Sequence, residues 1–141
     1  MSLFVATLVT GLALLLAGAV LFRDVAFVRR TLLALPRSQA ATLALFGAAT
    51  VWVLWNITQL GEADFGNYKN LIFAVFLVLA LASYFTVPDF LPVRGLAVLG
   101  LLVSGLLLEA AYLREPVQRL FLVAPVYAAI LVFIYLGAVP Y

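Results

Sequence analysis

Three side chains recur at helical spacing in a stretch that is otherwise apolar. Trp52, Asn56 and Gln59, in WVLWNITQ, stand at i, i+4 and i+7, so a helix places them on one stripe. Gly105, Glu109 and Tyr112 repeat that spacing, and Glu109 is the only ionisable residue expected well inside a hydrophobic run. A carboxylate in hydrocarbon is costly, so it should face protein or water and have a partner. If the two helices face each other, Trp52, Asn56, Gln59, Glu109 and Tyr112 gather near Glu62, Asp64 and Arg114 of the adjoining loops. Such a cluster could bind a proton, a cation or a small polar ligand. The competing reading is structural: Glu109 snorkels to the interface or pairs with Arg114, and the aromatic residues anchor the chain at the membrane surface.

Much other chemistry is closed. The chain has no His and no Cys. That removes bis-His haem, thiolate-bound iron–sulfur clusters, imidazole or thiolate zinc sites, Cys nucleophiles and Ser-His-Asp triads. The sequence carries no glycine-rich phosphate loop, no metal-ligand spacing and no nucleophile elbow. No catalytic residue, metal or cofactor is therefore expected, although aromatic and aliphatic side chains suffice to line a pocket for a bound lipid or quinone. A net charge of +2 gives no reason to expect nucleic acid as a partner.

The elements that must position these residues follow from composition. Of the 141 residues, 67% are apolar and 10% charged. A soluble domain carries about 25% charged residues and needs them as a polar shell. The hydrophobic runs approach the roughly 20 residues that cross a bilayer. The expectation is an all-α integral membrane protein, a single domain of five transmembrane helices over about 3–22, 39–60, 71–87, 95–113 and 120–139. A four-helix variant would make the short third run re-entrant. Pro36 ends the segment after the first span, and Ser38 is a good N-cap for the second. Pro116 can restart the last helix, and Pro125 inside it should produce a kink. The pairs Ala13 and Ala17, Ala44 and Ala48, Gly100 and Ser104, and Ala124 and Ala128 are assigned to internal packing.

Arg23, Arg29, Arg30 and Arg37 crowd the loop after the first span, where Val25, Val28, Leu32 and Leu35 recur at spacings of three and four. This segment either lies as an amphipathic helix on the surface or extends the first helix. Asp24 is expected to pair with a neighbouring Arg, and Asp89 with Arg94. Placing the first loop inside puts Arg23, Arg29, Arg30, Arg37 and Arg94 in the cytoplasm, against Lys69, Arg114 and Arg119 outside. The positive-inside rule then gives an outside N-terminus and a cytoplasmic C-terminus. Seven Arg against one Lys suggests a GC-rich bacterial genome, hence a bacterial cytoplasmic membrane.

The leading functional expectation is a noncatalytic structural or accessory subunit. Its partners would be membrane lipids, other membrane proteins or copies of itself, with the Arg loop contacting lipid or partner. The first alternative is a small homo-oligomeric transporter or channel using the outer polar cluster around Glu109. Against it, the predicted midplane segments, such as Leu12 to Leu16 and Phe76 to Leu81, are almost wholly apolar. The second alternative is a lipid- or quinone-binding protein.

Overall fold

The computed structural model describes residues 2–113, 115 and 117–139. Among these residues there is no strand, and five helices are long and apolar enough to cross a membrane. Arg114 and Pro116, assigned an ion pair and a helix restart by sequence, lie outside the described residues.

Helix α1 (Leu3–Arg23) opens on Ser2, whose hydroxyl accepts from the Val5 N–H at 3.3 Å. Asp24 breaks the helical path with φ −149° and ψ 80°, and its carboxylate accepts from the Phe27 N–H at 2.8 Å. It therefore caps a separate helix, α2 (Val25–Ala34), instead of pairing with a neighbouring arginine. The first helix does not extend into the basic segment.

Helix α3 (Gln39–Thr58) begins where expected, with the Ser38 hydroxyl accepting from the Ala41 N–H at 3.2 Å. Within it, Thr42–Phe46 winds as a π-helix. Helix α4 (Lys69–Thr86) is preceded by a helical turn at Gly66–Tyr68, so the third apolar stretch reaches 21 residues. That length suits a full crossing. Helix α5 (Leu91–Ala111) starts ahead of the expected Gly95, because a proline in the first turn lacks only an N–H that has no intrahelical partner there. It also stops earlier than expected, where Tyr112 turns extended and Leu113 adopts φ 54°. Helix α6 (Leu120–Ala138) continues through Pro125.

The helices alternate in direction, and α5 is the centre. It packs on α1, α3 and α6, and its buried residues include Leu91, Ala97 and Ser104. At the end where α5 finishes, Ala110 and Ala111 join Ala6, Leu122 and Val126 in one buried cluster. At the other end α5 crosses α3 very closely. A Cβ added to Gly95 would sit 2.6 Å from the Phe46 nitrogen and 2.7 Å from its Cα. The periphery is loose by comparison: α4 rests mainly on α3 and buries no residue, and α1 buries only Ala6.

Lipid tails are as apolar as Leu, so helices in a bilayer associate through close van der Waals packing rather than escape from water. The Gly95 crossing is such a contact, and its neighbour is backbone, which cannot rotate away. Gly95→Ala should lower stability by about 1–3 kcal/mol, read as a fall in the thermal midpoint of the detergent-solubilised protein. The nearest neighbour of a Cβ at Gly100 is the Phe133 ring, a side chain that can shift, so the midpoint of Gly100→Ala should fall less.

Candidate functional site

The described members of the outer polar cluster lie in the last turns of helices or in loops at one end of the bundle. Because α5 stops at Ala111, Glu109 sits in its final turn, about 3 Å of rise from the helix end. Its backbone carbonyl accepts from the Tyr112 N–H at 3.2 Å. Asn56 likewise occupies the last turn of α3, and Gln59 is the residue that caps it. Trp52 is half-buried, whereas Asn56, Gln59, Glu62, Asp64, Glu109 and Tyr112 are exposed. No side-chain hydrogen bond or ion pair joins these described residues, and none of them lines a described hollow. Arg114, the eighth member, is outside the described residues.

The opposite end is more structured. Arg29, Arg30 and Arg37 border an open groove of about 790 Å³ along α2, floored by Val25, Ala26, Leu33 and Ala34. Cationic heads beside an apolar floor suit an anionic headgroup at a membrane surface. Arg23, the fourth residue of the predicted basic loop, ends α1 and lies outside that groove.

Arg37 also borders a second hollow, of about 370 Å³, with Pro36, Gln39, Thr42, Tyr84, Pro88 and Asp89. Here the segment leading into α3 meets the segment leaving α4. A smaller recess between Pro36, Arg37, Asp89 and Phe90 adjoins it. Asp89 thus borders a space shared with Arg37, and it makes no ion pair with Arg94 or with Arg37. The Thr42 hydroxyl is spoken for, donating to the Ser38 carbonyl at 3.0 Å. Phe90 sits at φ 62°, a left-handed conformation disfavoured for a bulky side chain. A π-helical segment bordering the hollow and a left-handed aromatic residue bordering the adjoining recess are irregularities of the kind that gather at functional sites.

One helical turn deeper, the seam between α3 and α4 opens into an apolar cavity of about 230 Å³. Phe46, Ala49, Thr50, Val53 and Leu54 form one wall, and Phe76, Leu79, Ala80 and Ser83 the other, with Val98 of α5 behind. Its two hydroxyls are turned to their own backbones. Thr50 donates to the Phe46 carbonyl and Ser83 to the Leu79 carbonyl, each at 2.8 Å.

No protein-family model, curated protein or solved structure matches this chain. The site must therefore be read from its own residues. Sequence reasoning found Arg37 but missed Gln39, Thr42, Tyr84 and Asp89 as its companions. The signal was present as two dipeptides, Pro36-Arg37 and Pro88-Asp89, which alternating helices bring to the same end.

Exposed residues without partners contribute little to stability. Glu109→Gln and Asn56→Ala should each leave the stability of the solubilised protein, read from its thermal midpoint, within about 0.5 kcal/mol of the parent. A fall several times larger in either variant would reveal a buried partnership for the outer cluster.

Proposed function

We propose that this chain is a noncatalytic subunit of a bacterial cytoplasmic membrane, structural or accessory in role, that packs against other membrane proteins and lipids. The carrying observation concerns its small residues. Ala13 and Ala17, Ala44 and Ala48, and Ala124 and Ala128 all lie on exposed helix faces. Of the four pairs assigned to internal packing, only Gly100 and Ser104 are packed inside, and the other three assignments are overturned. The reason is the open arrangement: α5 takes most of the close contacts, leaving the outer faces of α1, α3 and α6 uncovered.

Exposed Leu or Phe needs no explanation in lipid. Exposed alanines four apart are more telling, because they form shallow surfaces against which another helix backbone can come close. Three such surfaces on one small chain favour companions in the membrane. A transporter or channel is less favoured. The hydroxyls of Thr10, Thr50 and Ser104 within the spans each donate to a carbonyl four residues back, so they add no hydrogen-bonding donor to a polar path.

Gentle detergent extraction from the native membrane, followed by native mass measurement, tests the reading. Other membrane proteins in fixed ratio would support it, and a lone monomer would overturn it. A defined homo-oligomer that passes ions or solutes would move the assignment to transport, with Glu109→Gln the first variant to assay.

Orientation can be tested separately because the sequence has no cysteine of its own. In intact cells, a membrane-impermeant thiol reagent should label Asp64→Cys and spare Arg30→Cys until the membrane is permeabilised. The reverse pattern would place the basic loop outside.

A further inference from the structure

We propose that the seam between α3 and α4 is a binding site for one phospholipid with a phosphoethanolamine headgroup. The headgroup occupies the hollow between Arg37 and Asp89, and an acyl chain lies in the apolar cavity beneath. This inference concerns a site within a single chain and stands whether or not the chain is a subunit of something larger.

Three features select that occupant. The first is the pairing of polar mouth and apolar depth. Thr42 and Tyr84 border the polar hollow, while Phe46 and Ala80, one turn along the same two helices, border the apolar cavity. From Thr42 to Leu54 the seam spans about 18 Å of helix rise, close to the roughly 15 Å depth of one leaflet's hydrocarbon. An amphiphile with a membrane-depth tail fits that axis, whereas a small soluble solute would leave the apolar part unused.

The second feature is charge. Arg37 and Asp89 border one hollow without closing on each other as an ion pair. A guanidinium binds phosphate through parallel N–H bonds. A carboxylate beside it repels a purely anionic headgroup and attracts an ammonium. The phosphoethanolamine zwitterion carries both groups a short chain apart, and Gln39 and Tyr84, which border the same hollow, can supply neutral donors. The α2 groove makes the contrast clear, since its charged side chains are Arg29, Arg30 and Arg37 without an acid.

The third feature is the apolar lining of the cavity. Thr50 and Ser83 would otherwise put hydroxyl donors into it, but both are committed to backbone carbonyls. A quinone would find no free hydroxyl donor at that depth, whereas an acyl chain needs none.

The test uses the full-length protein, delipidated in detergent and incubated with equimolar phosphatidylethanolamine and phosphatidylglycerol of identical acyl chains. Retained lipid is read by native mass spectrometry. The parent protein should retain phosphatidylethanolamine about tenfold over phosphatidylglycerol, the discrimination expected of one charge-assisted contact. Asp89→Lys should reverse the preference, and Arg37→Ala should weaken retention of the phosphatidylethanolamine. Ala80→Phe should fill the cavity and reduce retention of both lipids with the headgroup contacts intact. Arg37 and Asp89 are exposed, so these variants should fold, and an unchanged thermal midpoint checks that they do. Equal retention of the two lipids by the parent, or a preference untouched by Asp89→Lys, would overturn the proposal.

Discussion

The crossing of α3 and α5 at Gly95 is the contact on which the rest of the arrangement depends. It brings two backbones together where most residues would hold them apart, and it does so beside the π-helical turn Thr42–Phe46. Around it α5 gathers α1 and α6, while α3 carries α4 on its other side. In water such an assembly would be driven by burial of apolar area. In lipid that drive is absent, so a single close approach matters more than a broad but shallow contact. This explains how a chain that is two-thirds apolar can bury so few side chains and still have a defined centre.

A hydrocarbon surrounding would also dictate what the polar groups do. Hydrocarbon offers no hydrogen bonds, so each hydroxyl inside a span must find a partner nearby. Thr10, Thr50, Ser83 and Ser104 all meet that demand by donating one turn back along their own helix. Charge is pushed to the ends, where the two rims differ. One rim has Glu62, Asp64 and Glu109 exposed and dispersed; the other draws Arg37 and Asp89 to the edge of a single hollow.

Much of this was legible in the sequence. Five long apolar runs specify five helices, because 3.6-residue geometry and bilayer thickness leave little choice. Ser38 marked the start of α3 through cap chemistry, which depends only on local residues. Helix ends set by tertiary or backbone context were harder. Leu113 in a left-handed conformation has no sequence signature, so the sequence pattern carries α5 past Ala111 and places Glu109 deeper than it lies. The small-residue pairs failed for a related reason. Spacing shows that Ala44 and Ala48 share a face but not what that face meets, and with apolar residues on every side the pattern has no direction. The hollow at Arg37 was missed because its parts come from opposite ends of neighbouring helices. Only the pairing of α3 with α4 brings Pro88-Asp89 beside Pro36-Arg37.

The packing of Ala6 has a consequence for how the molecule is made. Ala6 belongs to the buried cluster of Ala110, Ala111, Leu122 and Val126, which lies at the far end of the chain. During synthesis α4 can settle on α3 as soon as it emerges, since the two are joined by one short loop. Gly95 reaches Phe46 only when α5 follows. Helix α1 precedes the other four spanning helices in the chain, yet the residues that seat its one buried side chain belong to α5 and α6. Ala6 therefore meets all of its buried neighbours only once α6 has been made. The long separation between Ala6 and Leu122 thus ties the seating of α1 to the making of α6.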